Sequence, residues 1–296
     1  MLVGVIGLVL PVLPGWALIF VGLSCIAPKL AERLKRLFFR KFFKNGVVYL
    51  EEWKKISVQA GFTTKHFPLF LRNSEELSGT ENQQKLMTLL SESPVVCSNR
   101  LGPFKKFAVL NQVHGDKIAI LSADGGSHSC EKDGFYPLVG YDAAVTDIKG
   151  MTLLAFSADC LTLFFSAGSW VGIVHAGWRG SQSKIALKTL RLIAEKARCR
   201  TKHVRIIFGP AIGACHYEVG PEFREHFRAS SLVEKNGKLY FDLAKENRTQ
   251  LREAGVANDN VTDHEVCTIT ENENFYSFRK EKDAAGRIIS FVVKSV

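Results

Sequence analysis

The sequence has no Cys-x-x-Cys motif, no internal repeat and no low-complexity tract. Its seven cysteines are odd in number and widely spaced, which excludes the paired framework of a small disulfide-rich secreted protein. Reduced thiols in a cytosol-facing domain are the better interpretation, so a cysteine with a role here is expected to be a ligand or a nucleophile. The hydrophobic content of 46% excludes a disordered chain.

Most of the chain has no large excess of basic over acidic side chains. The formal net charge is +10, but residues 1–44 alone carry seven basic side chains and one acidic one. Residues 45–296 therefore hold 32 basic and 28 acidic side chains, a net charge of +4. This balance is typical of an ordinary protein surface, so no nucleic-acid partner is expected.

Charged residues are also absent from residues 1–27, which are numerous enough to cross a membrane. A basic, phenylalanine-rich stretch follows from Lys29 to Lys44 and predicts that the rest of the chain lies at the cytoplasmic face of the membrane. Pro11 and Pro14 interrupt the run, so a kinked span and a re-entrant hairpin both stay open. If the segment is a buried core helix instead, the protein is cytoplasmic.

The pattern along the chain predicts three regions. Residues 1–44 form an apolar membrane segment with a basic flank, and the string GLVLPVLPGWALIFVGL (7–23) resembles small bacterial membrane proteins with a Pro-Gly-Trp motif. Residues 45–57 form a linker, and residues 58–296 form one α/β domain. Strand signals in this domain alternate with helical patterns only part of the time, which favours mixed rather than purely parallel sheets.

Seven strands and four helical segments are predicted from apolar periodicity and capping residues. The strands are Phe107–Leu110, Lys117–Leu121, Met151–Phe156, Leu161–Phe165, Trp170–His175, Val204–Phe208 and Arg287–Val293. The helices are a short piece near Gln83–Leu90, a helix capped by Ser181 that runs to about Arg198, one that begins at Pro221, and one from the cap Asp242 to Gly255.

Polar residues interrupt three of the apolar segments at strand ends. His114 follows one predicted strand, Cys160 breaks an apolar run, and His175 ends a third strand before a glycine-rich turn. Two imidazoles and one thiolate suit zinc, and three protein ligands leave a position for water, as in catalytic sites. On spacing alone, a histidine at a strand end is more often a hydrogen-bonded core residue, and a single cysteine is more often a small buried apolar residue.

The turn after His175 offers a second feature. Its glycines and the start of the next helix expose backbone N–H groups, and Arg179 can add a two-pronged contact to an anion. A phosphate can therefore be bound there. The alternative is a turn that needs glycine for its dihedral angles, with Arg179 in a structural ion pair.

Seven strings in the same order along residues 60–293 resemble the polyphenol oxidase (laccase-type) family, many members of which are described as zinc-dependent purine nucleoside phosphorylases with adenosine deaminase activity. They are GFTTK (61–65), NQVHGD (111–116), DAAVTDIKG (142–150), SADC (157–160), HAGWRG (175–180), GPAIGACHYEVG (209–220) and the terminal CTIT…NFYSFRKE…GRIISFVV. The family implies a four-layer α/β/β/α fold with mixed sheets.

The resemblance also implies a ligand set and a reaction. His114, Cys160 and His175 would hold zinc beside a pocket for a purine nucleoside. The expected function is phosphorolysis of adenosine, inosine, guanosine or methylthioadenosine to base and ribose 1-phosphate, with adenosine deamination. We expect Asp159 and Arg179 to be catalytic.

Residues near these ligands are expected to bind the substrate and phosphate. Under the same resemblance, Gln112, Arg179 and His216 would contact the nucleoside or phosphate. Asp159 has an alternative role as a hydrogen-bond acceptor that orients a ligand, and His216 has one in packing. Gln83, where the family usually has Arg, puts phosphate or ribose binding in doubt.

Other functions are compatible with the same residues. Older descriptions of the family invoke copper and phenol oxidation, but the eight scattered histidines contain no His-x-His pair and argue against a multicopper laccase mechanism. A phenol oxidoreductase in cell-wall precursor editing, a metal-free hydrolase with Cys160 as nucleophile, and a membrane-anchored binding module remain alternatives.

Overall fold

The computed structural model describes residues 46–91, 106–125 and 134–295. The chain divides into two compact units, residues 1–48 and 49–296. Within the described ranges, no helix combines the length and the apolar character needed to cross a membrane. The predicted membrane segment, residues 1–44, lies outside the described residues. The predicted linker, residues 45–57, contains a short strand and a 3-10 helix, Glu51–Ile56.

Fifteen strands are found in the described residues. In chain order, β1 to β15 are Val47–Tyr49, Val58–Thr63, Lys106–Asn111, Ile118–Leu121, Gly134–Val139, Ala143–Thr146, Met151–Ser157, Leu161–Ala167, Trp170–Ala176, Arg205–Phe208, Glu218–Val219, Leu232–Lys235, Lys238–Phe241, Val261–Asp263 and Ile288–Lys294. All seven strands predicted from the sequence are confirmed, with small differences at their ends.

Six α-helices lie among these strands in the part of the chain that the structure describes. In chain order, α1 to α6 are Thr80–Ser91, Trp178–Gln182, Ile185–Lys196, Phe223–His226, Leu243–Glu253 and Phe278–Glu281. The cap of α5 is confirmed, because Asp242 accepts a hydrogen bond from the backbone N–H of Lys245 at 2.8 Å. The long helix predicted from Ser181 is wrong in one respect: Lys184 adopts a left-handed conformation (φ 61°) and separates α2 from α3.

Two six-stranded mixed sheets form the frame of the domain. The first has the order β1-β2-β15-β7-β3-β5, and the second has the order β14-β10-β8-β9-β6-β4. Each contains both parallel and antiparallel pairs, as the sequence predicted. A small antiparallel sheet, β11-β13-β12, lies beside them.

The strands at the centre of both large sheets are buried on both faces. All seven residues of β7, β8 and β9 are buried, which explains why their sequences are nearly continuous apolar runs. The two sheets contact each other through β7, β15 and β9, and α3 packs on β9 and β8 of the second sheet. This arrangement gives three of the four expected layers; the second helical layer stays a prediction.

The chain crosses between the two sheets at the places where the polar motifs lie. It leaves β3 in the first sheet and enters β4 in the second through the turn that contains His114. It leaves β7 in the first sheet and enters β8 in the second through Ala158–Cys160. Because β9 is the neighbour of β8, its end lies beside both crossings. The fold therefore gathers these distant segments at one point.

Candidate metal centre

Three potential metal ligands converge at these crossings. One imidazole nitrogen each of His114 and His175 and the sulfur of Cys160 all lie within 4.8 Å of one another. The two imidazole rings have centroids 4.9 Å apart and are nearly perpendicular. His114 is exposed, Cys160 is partly buried, and His175 is buried. The structure thus brings together the three residues predicted to hold the metal.

A buried carboxylate fixes the orientation of two of these ligands. Asp142, which is fully buried, accepts a hydrogen bond from the backbone N–H of His114 at 2.9 Å and two more from its neighbours Val113 and Gly115. The same carboxylate lies 2.9 Å from Nδ1 of His175. That contact leaves Nε2 of His175 as the nitrogen available to a metal ion.

The electrostatic environment favours a thiolate at Cys160. Burial would raise the pKa of this thiol, but the charge of His175 and hydrogen bonds with both histidines lower it to about 6. Burial would lower the pKa of His175, whereas the charge of Cys160 and the hydrogen bond to Asp142 raise it to about 9. The surroundings of Cys160 therefore favour the negatively charged sulfur, which is the form that binds a divalent cation.

Close backbone packing limits the space around the sulfur. A Cβ atom added to Gly177, the residue that caps α2, would lie 2.9 Å from Sγ of Cys160 and 3.2 Å from Cδ2 of His114. Gly177 has φ −74°, so its role is to leave room rather than to permit an unusual backbone conformation. Gly177 is therefore part of the candidate metal centre.

A cavity of about 390 Å³ opens beside the three ligands. This volume falls within the usual range for small-molecule sites. Its wall combines these three residues with aromatic, amide, acidic and cationic side chains, including Asn73, Asn111, Gln112, Phe156, Asp159, Tyr217, Phe278, Arg279 and Arg287.

Two of the cavity residues predicted from the sequence have their polar groups engaged by the protein. The amide of Gln112 donates to the backbone oxygen of Phe156 at 2.6 Å and accepts from its N–H at 3.0 Å. The carboxylate of Asp159 accepts hydrogen bonds of 2.6 Å from Oγ1 of Thr268 and from the backbone N–H of Arg279. Both side chains line the cavity and hold its wall together.

The other two predicted residues lie elsewhere. Arg179 is exposed, has its guanidinium 4.3 Å from the centre of the Trp178 ring, and is not among the residues that line the cavity. His216 is also exposed and also absent from the lining; its Nδ1 lies 3.1 Å from Sγ of Cys215. The roles predicted for Arg179 and His216 stay predictions.

Several residues at this site have no role in the predictions from sequence. Arg287 lines the cavity, and the charges of Cys160 and Asp159 oppose the lowering of its pKa that burial causes. The ring of Tyr217 faces the guanidinium of Arg279 at 5.2 Å. Arg287 and Tyr217, like Asp142, lie within the strings that resemble the family. That resemblance is the only feature of the sequence that indicates a role for them.

Mixed sheets that meet at a cluster of two histidines and a cysteine define an α/β protein with a candidate metal-dependent active site. Residues 89–295 match the family described as multi-copper polyphenol oxidoreductase laccase. The chain belongs to this family, as the resemblance in its sequence predicted.

Several relatives that are similar in sequence to this chain carry the name of an enzyme. A protein of Aquifex aeolicus named purine nucleoside phosphorylase is 35% identical over 201 residues, which cover 66% of this chain and 89% of the relative. Purine nucleoside phosphorylase YlmD of Geobacillus stearothermophilus is 31% identical and covers 64% of this chain and 73% of its own length. These names and the family support an enzyme of the purine nucleoside phosphorylase and laccase-like group.

Solved structures support the fold over a larger part of the chain. The crystal structure of YfiH from Bacillus licheniformis has a TM-score of 0.69 at 26% identity and covers 85% of this chain and 97% of its own. The crystal structure of YlmD from Geobacillus stearothermophilus gives the same TM-score and identity over 86% of this chain. The mixed α/β fold is therefore shared by these relatives.

Proposed function

We propose that this protein is a zinc-dependent purine nucleoside phosphorylase that also deaminates adenosine. The observation that carries the proposal is the position of the His114, Cys160 and His175 donor atoms on the wall of a cavity large enough for a nucleoside. The names of its relatives support the substrate class. The preferred nucleoside among adenosine, inosine, guanosine and methylthioadenosine is left to the assay.

The donor set fits zinc because it combines two imidazoles with one thiolate and includes a ligand held by a buried carboxylate. A bound zinc ion would supply a polarising positive charge and a site where water is activated. Copper, named in the family description, is the alternative occupant. Among the described residues, however, only this cluster joins two histidines, whereas a multicopper centre needs several.

The cationic wall of the cavity fits a phosphate co-substrate. Arg279 and Arg287 both line it, and each guanidinium uses Nη1 to donate to backbone oxygens, which leaves further N–H groups for an anion. Arg279 and Arg287 are therefore the first candidates for phosphate binding. Arg179 is a second candidate if the exposed turn approaches the substrate.

The aromatic wall fits the purine and ribose. Phe156, Tyr217 and Phe278 line the cavity, and flat apolar side chains are suited to stack on a base. The carboxylate of Asp159 accepts a hydrogen bond from the backbone N–H of Arg279 and so keeps that residue in position. Asp159 also directly precedes Cys160 in the sequence. In the proposed deamination it would accept and return a proton.

The full-length protein, loaded with zinc, tests the proposal. It is incubated with each nucleoside with and without phosphate, and free base, ribose 1-phosphate and ammonia are measured. We expect free base and ribose 1-phosphate only when phosphate is present, and ammonia from adenosine in both conditions. Cys160→Ser should abolish both reactions, whereas the matched control Cys199→Ser, outside the cavity, should retain them. No product from any nucleoside by zinc-loaded protein would refute the proposal.

A Cys–His hydrolase is the second candidate function. Asp142 lies against Nδ1 of His175, and the environment lowers the pKa of Cys160 to about 6, as a thiol nucleophile requires. The two candidates respond differently to a chelator. Removal of the metal should abolish activity in a zinc enzyme. In a thiol hydrolase, activity should survive chelation and be lost when iodoacetamide alkylates Cys160.

A further inference from the structure

A second group of metal-binding side chains lies outside the cavity. The nearest donor atoms of Cys215, His216 and Cys267 are all within 4.8 Å of one another. Nδ1 of His216 lies 3.1 Å from Sγ of Cys215 and 3.6 Å from Sγ of Cys267, and the two sulfurs are 4.0 Å apart. Within the described part of the chain, this is the only other such cluster besides the candidate active site.

The backbone holds one of the sulfurs in a position suited to a thiolate. Cys267 is buried, and its sulfur accepts a hydrogen bond of 3.3 Å from the backbone N–H of Gly213. A Cβ atom at Gly213 would lie 3.3 Å from the sulfurs of both Cys215 and Cys267. The loop therefore brings its backbone close against the two sulfurs, and glycine leaves the room that this approach needs.

We propose that Cys215, His216 and Cys267 form a second metal site for a soft divalent ion of the zinc type. Cysteine thiolates and imidazole nitrogens are ligand types that zinc prefers, and three protein ligands leave a fourth position open. Cys215 and His216 are exposed, so solvent can supply a fourth ligand. Oγ1 of Thr270 also lies near the cluster, 4.0 Å from Sγ of Cys215.

The position of the cluster indicates what the ion would do. The loop of Cys215 and the segment of Cys267 are joined by backbone hydrogen bonds of Ala211 to Val266 and Thr268. The same loop carries Tyr217, which lines the cavity. A metal ion that ties Cys215 to Cys267 would therefore fix one wall of the cavity from behind.

The second site is also linked to the first through Asp159. The backbone oxygen of Asp159 accepts from the N–H of Ile212 at 2.8 Å, and its carboxylate accepts from Oγ1 of Thr268. Asp159 directly precedes the ligand Cys160. The second ion would thus act as a structural support for the candidate active site. The proposal does not depend on the reaction catalysed there.

Metal stoichiometry separates the two sites. The full-length protein is reduced, saturated with zinc, freed of excess metal and measured by elemental mass spectrometry. We expect two zinc ions per chain in the wild type and in the control Cys199→Ser. One ion should remain in Cys215→Ser, in Cys267→Ser and in Cys160→Ser, and none in the double variant Cys160→Ser/Cys267→Ser. Circular dichroism checks that each variant is folded.

Two further measurements make the result decisive. In cobalt-loaded Cys160→Ser, a thiolate-to-cobalt charge-transfer band should persist and should weaken when Cys215 is also replaced. Zinc should protect the exposed Cys215 from alkylation by iodoacetamide. Two zinc ions retained in both Cys215→Ser and Cys267→Ser would overturn the proposal. A reduced wild-type protein that binds only one zinc ion, and loses it in Cys160→Ser, would also overturn the proposal. In that case Cys215 and Cys267 should be found joined as a disulfide when no reductant is added.

Discussion

The residues beside the first cluster have unusual backbone conformations. His114 has φ 61° and Asp159 has φ 97°, values that side-chain-bearing residues adopt rarely and at a cost of about 1–3 kcal/mol. Asp142 offsets this cost at His114 because it accepts hydrogen bonds from three successive backbone N–H groups. The geometry of the candidate metal centre therefore depends on one buried carboxylate that does not line the cavity.

Asp142→Asn should weaken metal binding without removing a ligand. The amide has one oxygen acceptor where the carboxylate has two, so some of the contacts to the His114 turn and to His175 are lost. Loss of such supporting groups reduces metal affinity by about 10- to 100-fold. Competition between the protein and a chromogenic chelator measures the change.

The matched control for this variant is Asp116→Asn. Asp116 lies in the same turn, but it is exposed and forms a surface ion pair with Lys188. Such pairs contribute about 0–1 kcal/mol, so metal affinity should be unchanged. Equal zinc affinity in Asp142→Asn and in the wild type would contradict the proposed orientation of His175.

Gly177→Ala should disturb the metal centre through the added methyl group alone. The new Cβ would approach Sγ of Cys160 to 2.9 Å, so the sulfur has to move, and overpacking of this kind costs about 1–3 kcal/mol. We expect a loss of zinc affinity of about 10- to 100-fold with an almost unchanged circular dichroism spectrum. Isothermal titration calorimetry measures the affinity.

Gly79→Ala is the control for this substitution. Gly79 also has a negative φ, −81°, and a Cβ atom there would meet nothing within 4 Å. Its zinc affinity should equal that of the wild type. If Gly177→Ala bound zinc as tightly as Gly79→Ala, close packing against the sulfur would have no role in the centre.

At this scale the sequence indicates the three residues of the candidate metal centre more clearly than the residues around them. His114, Cys160 and His175 were expected because polar residues interrupt apolar strands, and the family resemblance made that set specific. Arg287 and Tyr217 lie more than forty residues along the chain from His114, Cys160 and His175, and no local periodicity distinguishes them from surface side chains. Only the fold brings them to the same cavity.

Among the secondary-structure elements, buried strands were the easiest to predict. β7, β8 and β9 are continuous apolar runs because every one of their residues is buried. The hairpin of β12 and β13 was missed although Asn236 and Gly237, both with positive φ, form its turn and Asn-Gly is a strong hairpin signal. Both strands have only four residues, and β12 is largely exposed, so neither gives a strong apolar signal.

The contact between β2 and α6 gives a pH-dependent prediction. Glu281 accepts hydrogen bonds from Nζ of Lys65 at 2.6 Å, from the side chain of Asn272 and from the N–H of Ser277. Burial would raise the pKa of Glu281, but these hydrogen bonds lower it. The carboxylate thus joins the end of β2 to the segment that carries Arg279.

Glu281→Gln should reduce the free energy of unfolding by about 1–2 kcal/mol at neutral pH, because a charged acceptor of three hydrogen bonds is lost at a partly buried position. A pKa lowered by folding stabilises the protein above the unfolded value of about 4.3, and this contribution is lost as pH falls through the folded pKa. The difference between wild type and variant should therefore shrink below about pH 4. Urea unfolding at a series of pH values measures it.

A control for this comparison is Glu195→Gln, because Glu195 is exposed on α3. Its unfolding free energy should stay within about 0.5 kcal/mol of the wild type at every pH. A difference for Glu281→Gln that stayed constant down to pH 3 would show that the contacts do not depend on the charge of the carboxylate.

For the whole molecule, the sequence predicted the family and the mixed α/β fold, but not how its sheets are connected. The order of strands in each sheet depends on contacts between distant segments, such as β15 between β2 and β7. Sequence periodicity reports only which face of a strand is apolar, so it cannot specify such neighbours. The separation of charge between residues 1–44 and the rest was visible from composition alone.

That separation predicts where the full chain is found in a cell. The uncharged residues 1–27 should hold it in the membrane fraction, and residues 45–296 expressed alone should stay in the supernatant. A wash with 1 M salt distinguishes the two possible causes, because it screens the basic stretch Lys29–Lys44 but leaves apolar insertion intact. A full-length variant with Leu18→Arg and Ile19→Arg should lose membrane retention while keeping its basic stretch. Full-length protein released by the wash would mean that charge alone holds it at the surface, and recovery in the first supernatant would contradict membrane association.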